Sequence, residues 1–283
     1  MPSSSTPTER QKRLGAELRK MRVAAEATTT YAAGLLGIDR TKISNMEVGV
    51  RPIAPARIRT LACNYACADG KYVDALVQMA EPGEPGWWEK YRGQLPSGLL
   101  DIAELEWHAT CIRTAQTVHL PGLLHTDDYA RAVFGAVLPK LSPLEVELRV
   151  AHRMDRQRVL DRRPSTPYVG YVHEAALRME FGGTQAAKLQ LRHLCEMSEQ
   201  EHIDIRVVPV SRGAFPGAGH ALLYAHGAVS QLDTVQLDSA HGPDFMHAEG
   251  QLAKYRAHLD WLEAASLDST DSRDFIHAIS NQL

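Results

Sequence analysis

Hydrophobic positions three or four residues apart recur along the first 80 residues of the chain. This spacing predicts helices, because it gathers apolar side chains on one face of each helix. Five helices are predicted, over about residues 8–26, 29–36 and 40–46, from Pro55 onward, and over 71–80. Residues 9–80 are therefore predicted to form one mainly α-helical domain, and residues 1–8 a disordered tail.

The second and third predicted helices are joined by a short turn. Gly37 suits the left-handed conformation that ends a helix, and the Asp39 carboxylate can accept hydrogen bonds from the open amides of the next helix. The apolar positions fit two short helices that cross at a steep angle. These positions are Ala32, Ala33, Leu36, Ile38, Ile43 and Met46. The stretch Thr28–Pro52 therefore predicts a helix-turn-helix.

The outward positions of the second helix of this motif are all polar. They are Arg40, Thr41, Lys42, Ser44 and Asn45. Each side chain can donate a hydrogen bond to a phosphate or to a base edge. We predict that Arg40, Thr41 and Asn45 read bases, with Arg40 suited to guanine and Asn45 to adenine. Phosphate contacts are predicted for Lys42, Ser44, Thr29 and Arg51.

From about Arg10 to Met79 the chain resembles the Xre or phage-repressor type of DNA-binding domain, a compact five-helix unit. The residues that carry the resemblance are Arg22, Thr28, Ala33, Leu36, Gly37, Ile43, Ser44, Glu47, Gly49 and Arg51-Pro52. In that family an arginine late in the first helix pairs with a glutamate just after the recognition helix. The resemblance therefore implies a structural ion pair between Arg22 and Glu47. The family often has Gln at the position of Thr29, and the shorter Thr29 side chain reaches a phosphate at best.

The segment Glu81–Gly86 contains two Pro-Gly pairs, which neither a helix nor a strand tolerates. It predicts a linker over residues 81–97 and a second domain over residues 98–283. Trp87, Trp88 and Tyr91 lie inside this linker. They either dock the linker onto the second domain or begin an interface.

The second domain mixes strand and helix patterns, which predicts an α+β fold with a small, mostly antiparallel sheet of four or five strands. Ile203–Val210 is the plainest strand. Ala221–Ala225 and Val235–Leu237 are predicted as its antiparallel partners, since glycine-rich turns separate the three segments. Long helices are predicted over residues 142–162, 184–200, 246–265 and 269–281.

Charge is distributed unevenly along a chain whose net charge is −3. Residues 1–60 carry six more basic than acidic side chains, which leaves a net charge of −9 on the remainder. A basic head with an acidic body is typical of a protein that meets DNA at one end. No apolar run is long enough for a membrane span and no secretory signal is found, so no membrane partner is expected.

Four cysteines are present, and Cys63 and Cys67 are four residues apart in a predicted helical region. This spacing suits either a metal ion or a packed helix face. Because no second CxxC motif and no nearby histidine at ligand spacing accompany them, we predict small buried side chains and no metal site. The cysteine content is that of a reduced, cytoplasmic protein.

Thirteen histidines invite a search for catalysis, but the chain has no HExxH, GxSxG, P-loop or dinucleotide motif. We therefore expect no enzymatic activity and no cofactor. Arginines and acidic residues alternate over residues 145–163, which solvated ion pairs on a helix face explain. Alternatively, Arg153, Arg156 and Gln157 line a polar pocket for a small anion or for an acidic tail of a partner.

The second half of the chain is also similar to a known group. The segments that carry this likeness are Leu120–Val133, Arg153–Leu160, Glu174 with Leu177-Arg178, and Ile203–Val210. They resemble the C-terminal domain of actinobacterial Xre regulators of the WhiJ-like group, which are antitoxin-like, Scr-type proteins usually encoded beside a small partner protein. The resemblance implies regulation without an established ligand. That family commonly has Gln where this chain has His125, and Glu near Asp238.

Together these features predict a sequence-specific DNA-binding transcriptional regulator. A single small helix-turn-helix buries too little DNA for tight binding, so we expect a homodimer on a two-fold operator. The second domain is expected to dimerise and to sense a ligand or a small protein partner. The alternative is an antitoxin-like interaction protein whose main partner is a small protein from a neighbouring gene.

Overall fold

The computed structural model describes residues 6–81, 84–215, 220–239 and 241–283. The chain divides into two compact units, one up to Trp87 and one from Trp88 onward. The predicted fold class is confirmed, with a helical N-terminal unit and an α+β C-terminal unit. Parts of the predicted tail and linker, residues 1–5 and 82–83, lie outside the described residues.

The first unit contains five helices. They are α1 (Glu9–Ala24), α2 (Thr29–Leu36), α3 (Arg40–Glu47), α4 (Pro55–Asn64) and α5 (Gly70–Ala80). Leu18, Ile43, Ile58 and Leu76 come from four different helices and are buried in the common core. Thr8, which the sequence assigns to the tail, is the N-cap of α1, because its hydroxyl and the Gln11 side chain form a reciprocal capping box.

The turn between α2 and α3 agrees with the predicted glycine cap but not with the predicted aspartate cap. Gly37 has a φ of 61° and ends α2 in the left-handed conformation. Asp39 occupies the N-cap position of α3, yet its side chain accepts no hydrogen bond from the helix amides. Its carboxylate lies instead 3.6 Å from Lys42 Nζ.

The second unit contains eight α-helices and six strands among the described residues. The helices are α6 (Ser97–His108), α7 (Asp127–Gly135), α8 (Pro143–Arg156), α9 (Arg158–Asp161), α10 (Glu174–Leu177), α11 (Thr184–Met197), α12 (Glu249–Ala265) and α13 (Ser269–Gln282). The strands are β1 (Cys111–Gln116), β2 (Tyr168–His173), β3 (Ile203–Val208), β4 (Leu222–His226), β5 (Thr234–Ser239) and β6 (Gly242–Met246).

The six strands form one mixed sheet in the order β3-β2-β1-β4-β5-β6. β1, β2 and β3 are parallel, and β4, β5 and β6 are added antiparallel to β1 and to one another. The predicted pairing of β3 with β4 and β5 is wrong, since β3 lies at the edge and pairs only with β2. Long helical connections allow this parallel pairing. The edge position also explains its polar Asp204 and Arg206, which pair with each other at 2.7 Å.

Each face of the sheet carries a hydrophobic core. Ile112, Tyr168, Val172 and Ile205 belong to one core, which also contains Leu191 of α11. The opposite core contains Ala115, Tyr171, Tyr224 and Val235 together with Leu252, Leu259 and Leu262 of α12. β2, which is central, is therefore covered on both faces, as parallel strands usually are.

Two predicted helix boundaries are wrong. The helix predicted over residues 142–162 is two helices, because the Gln157 amide bonds to Met154 O in a tight turn after α8. The helix predicted from residue 246 begins at Glu249, because residues 242–246 form β6, a strand that the sequence analysis missed. Pro243 hid this strand from a pattern analysis, although proline is tolerated at a sheet edge.

The aromatic segment of the predicted linker packs within the second unit. Trp88 makes an edge contact with Trp107 of α6 at a ring distance of 6.3 Å. The Tyr91 hydroxyl donates to Asp155 of α8 at 2.6 Å, and Lys90 pairs with the same carboxylate at 2.6 Å. Of the two alternatives, these contacts favour docking onto the second domain.

Candidate functional site

Helix α3 turns a polar face outward and an apolar face inward. Ile43 and Met46 are 2% and 3% exposed and pack into the core of the first unit. Arg40, Thr41 and Ser44 are exposed on the opposite side, and Lys42 and Asn45 are half-buried. The period of the helix alone separates these two sets, since residues three and four apart share a face.

The polar face of α3 has few intramolecular commitments. Among the described residues, the side chains of Arg40, Thr41 and Asn45 make no hydrogen bond or ion pair. Ser44 Oγ lies 3.5 Å from Arg40 O, at the limit of a hydrogen bond, and Lys42 has only its long contact with Asp39. Their donors are therefore available to a ligand.

Two further predicted phosphate contacts lie outside α3. Thr29 is the first residue of α2 and is half-buried, whereas Arg51 is exposed in the loop after α3. The Thr28 hydroxyl caps α2 by accepting from the Tyr31 amide at 3.1 Å. This cap fixes the start of α2 and with it the position of Thr29.

Arg22 and Glu47 form a two-pronged ion pair. Arg22 Nε and Nη2 donate to the two Glu47 carboxylate oxygens at 2.6 and 2.8 Å, and Nη1 donates to Ala27 O at 2.8 Å. The hydrogen bond to Glu47 raises the pKa of Arg22. The pair joins the end of α1, the following turn and the end of α3, so it fixes the recognition helix against its scaffold.

Two glycines allow the close approach of α1 to the end of α3. A Cβ on Gly15 would lie 2.5 Å from Met46 O and 2.7 Å from Glu47 O. A Cβ on Gly49, whose φ is 78°, would lie 2.7 Å from the backbone of Gln11 and Lys12. Because backbone atoms cannot give way, a side chain at either position would push the two elements apart.

In the second unit, the three residues of the predicted polar pocket have different environments. Arg156 is buried and donates through Nε and Nη2 to both carboxylate oxygens of Glu106, at 2.8 and 2.6 Å. Burial lowers the pKa of Arg156, but the charge and hydrogen bonds of Glu106 outweigh it and the net shift is upward. Gln157 Nε2 donates to His125 O at 2.6 Å. These donors are therefore already used.

Arg153 differs, because its neighbour is a neutral histidine. Arg153 Nη1 lies 3.2 Å from His125 Nδ1, and His125 Nε2 lies 2.8 Å from Leu120 O. Arginine only donates and a carbonyl only accepts, so His125 must be neutral with its proton on Nε2. Burial, followed by the Arg153 charge, holds the pKa of His125 well below its ordinary value.

Sequence reasoning missed Glu106 and the role of His125. Glu106 lies 50 residues before Arg156, so no helical spacing relates them. The solvated helix face predicted for the arginine run therefore fails at Arg156. His125 is a structural histidine, as predicted, but only the fold shows that it positions Arg153.

The cysteines do not form the predicted helix face. Helix α4 ends at Asn64, and Cys63 is exposed while Cys67 is half-buried. Within the described ranges, no group of three or more His, Cys, Asp or Glu side chains could hold a metal ion. None of the described helices combines the length and the apolar character that crossing a membrane requires.

Comparison with known families identifies both units. Residues 99–278 match the model of a domain of unknown function, DUF5753, and residues 13–76 match the model of a helix-turn-helix domain. No curated protein and no solved structure is significantly similar to the chain. The helix-turn-helix match covers α1 to α5 and so includes the polar face of α3.

Proposed function

Because the chain belongs to the family of the DUF5753 domain and carries a helix-turn-helix domain, we propose that it is an Xre-type transcriptional regulator. In this proposal the chain binds operator DNA as a homodimer and acts by binding, not by catalysis. The helix-turn-helix domain by itself suggests a DNA-binding regulator. The operator, the dimer and the sensing role are parts of the proposal.

The uncommitted polar face of α3 is the observation that carries this function. Arg40, Thr41 and Asn45 project from one side of a helix whose other side is buried. Such a helix fits the major groove, where each base pair presents its own pattern of donors and acceptors. Arg40 suits guanine O6 and N7, and Asn45 suits adenine N6 and N7. Lys42, Ser44, Thr29 and Arg51 supply phosphate contacts.

Dimerisation follows from the size of this surface. A single module of this kind buries less DNA than tight binding at physiological salt requires. Two copies on half-sites about 34 to 36 Å apart would double the contact. We assign dimerisation to the second unit, since it is the larger unit and does not carry the polar face of α3.

A second candidate function is an antitoxin-like interaction protein that binds a small protein from a neighbouring gene. Exposed apolar side chains between α7 and α8 favour a protein partner of the second unit. Leu138 is 81% exposed and Leu144 is 70% exposed. In this alternative DNA binding serves autoregulation, so the polar face of α3 keeps its role.

Selection of binding sites from random duplex DNA tests the proposed function. The full chain should enrich a two-fold symmetric motif, and the combined change Arg40→Ala, Thr41→Ala and Asn45→Ala should abolish the enrichment. The matched control replaces exposed polar residues of α4 by alanine, Thr60 and Asn64, and should leave the motif unchanged. No enrichment by the natural chain, or the same motif from the triple variant, would contradict the proposal.

A further inference from the structure

We infer that the Arg153 guanidinium binds a carboxylate of a small-molecule ligand of the second unit. This inference deepens the proposed sensing role, on which it rests for its regulatory meaning, and it names the chemical class of the ligand. It starts from a difference between Arg153 and the other strongly engaged arginines of the chain. Those arginines already hold a carboxylate.

Four other arginines bind carboxylates through the same edge of the guanidinium. Arg22, Arg92, Arg131 and Arg156 each donate from Nε and Nη2 to the two oxygens of one glutamate. This side-on edge places two parallel N–H groups at the spacing of carboxylate oxygens. The edge is therefore the part of Arg153 that a carboxylate would occupy.

At Arg153 that edge has no acceptor among the described residues. Its Nε is buried without a hydrogen-bond partner, and its only hydrogen bond runs from Nη1 to His125. A buried N–H without an acceptor is costly, which makes an incoming oxygen favourable there. Arg153 as a whole is only half-buried, so a small ligand has an approach to it from solvent.

The guanidinium is held in place on three sides. His125 accepts from Nη1, and the guanidinium carbon lies 4.9 Å from the centre of the Phe134 ring. The backbone of Gly122 passes so close that a Cβ there would lie 2.7 Å from Nη1. A donor positioned in this way loses little conformational freedom when it binds a ligand.

The charge of Arg153 is also not neutralised by a described carboxylate within ion-pair distance. His125 is neutral, and Arg156 is a second cation whose own counter-ion is Glu106. Burial and the Arg156 charge lower the pKa of Arg153 to about 9, so it remains protonated at neutral pH. Asp238 opposes this shift from a greater distance, and its side chain accepts from Gln236 at 2.8 Å.

A carboxylate titration followed by NMR tests the inference on the full chain. The probe is sodium acetate, titrated against sodium chloride at constant ionic strength, and the readout is the arginine Nε–H resonances. One resonance, absent from Arg153→Lys, should shift saturably with acetate and not with chloride. Lysine keeps the charge but lacks the fork, so Arg153→Lys should bind acetate about tenfold more weakly or worse.

Matched variants separate this site from general charge effects. Arg158→Lys changes an exposed arginine nearby and should keep the acetate shift. Asp238→Asn removes a negative charge near the site and should strengthen acetate binding severalfold. His125→Gln retains one donor and one acceptor and should keep the shift, which guards against a misfolded Arg153→Lys chain.

Three results would overturn the inference. The Arg153 resonance could stay fixed in acetate, or it could shift with inorganic phosphate alone, which would exclude the carboxylate class. Asp238→Asn could move the resonance without acetate and abolish the acetate response, which would make Asp238 the natural partner. DNA binding is measured separately, so loss of DNA binding with an intact acetate shift contradicts the proposed function and leaves the site standing.

Discussion

At the scale of single residues, the polar face of α3 separates sequence readers from charge contacts. Arg40→Ala should cost about 1 to 3 kcal/mol of DNA binding free energy and blur the preference at one base position, because a bidentate base contact is lost. Lys42→Ala should weaken binding to all sequences alike and flatten the salt dependence by about one phosphate contact. Fluorescence anisotropy on the selected site over a range of salt concentrations measures both.

A scrambled duplex is the control for these two variants. The difference between the selected and the scrambled duplex should shrink for Arg40→Ala and persist for Lys42→Ala. If both variants lost affinity equally on the two duplexes, the assignment of base and phosphate contacts would be wrong.

His152 should make the second unit sensitive to acid. Burial, and then the charges of Arg156 and Arg153, lower the pKa of His152 to about 3. Below pH 6.5 the unfolded chain binds a proton that the folded chain does not, so stability present above pH 6.5 falls as the pH falls. The loss approaches 1.4 kcal/mol per pH unit for one such group.

His152→Gln should therefore reduce the loss of unfolding free energy between pH 7.5 and pH 5.5 by about 1 kcal/mol. Urea unfolding followed by tryptophan fluorescence measures this, since Trp88, Trp107 and Trp261 lie in the second unit. The exposed His277, changed to Gln, is the control and should leave the pH dependence as it is. An unchanged dependence in His152→Gln would show that other groups cause it.

The residue-scale predictions succeed where helical period decides the outcome. The period of 3.6 residues places Ile43 inward and Arg40 outward whatever else the chain does. The partner of Arg156 could not be predicted, because only the fold brings Glu106 to it. For the same reason, the sequence suggested a pocket with three equal arginine and glutamine donors, whereas the structure leaves Arg153 alone with an open edge.

At the scale of elements, the packing of α1 against the end of α3 should depend on Gly15. Gly15→Ala should destabilise the first unit by about 2 kcal/mol or more, because the new methyl group would press on backbone oxygens. Gly34 of α2 has nothing within 4 Å of its Cβ position, so Gly34→Ala should be neutral or stabilising by up to about 1 kcal/mol.

Hydrogen exchange of peptides from α1 and α3 in the full chain distinguishes the two glycine variants. Faster exchange is expected for Gly15→Ala and unchanged or slower exchange for Gly34→Ala. Equal protection in both would mean that the helices move apart without cost, and that the close contact does not hold α3.

The Arg22–Glu47 pair should act on stability before it acts on DNA. Arg22→Met leaves a largely buried carboxylate without its partner, which should cost about 3 kcal/mol. Arg22→Lys should fall between the natural chain and Arg22→Met, since it keeps the charge and loses the fork. Circular dichroism melts give the stability. An unchanged melt with lost DNA binding would make Arg22 a DNA contact instead.

Most elements could be predicted from the sequence, and the pairing of the strands could not. Caps and breaks such as Gly37 and Pro55 act locally and mark helix ends reliably. Strand partners are set by the tertiary packing of long helical connections, so the parallel pairing of β3 with β2 leaves no local pattern. β6 was missed because its pairing with β5 outweighs a composition that includes glycine and proline.

At the scale of the whole molecule, the charges divide the work between the two halves of the chain. The basic first 60 residues favour DNA, and the acidic remainder disfavours it. DNA binding should therefore depend steeply on salt even though the whole chain is slightly acidic. The acidic remainder also contains the unpaired Arg153, which keeps a locally positive site for an anionic ligand.

Photocrosslinking from α3 to DNA tests the central claim most directly. A photoreactive phenylalanine analogue replaces Thr41 on the polar face of α3, or Thr60 on α4 as the control, in the full chain bound to its selected duplex. Crosslinks from position 41 should map to bases in the major groove of each half-site, and position 60 should give none there. Crosslinks absent at position 41, or equally frequent from position 60, would contradict the assignment of α3 as the recognition helix.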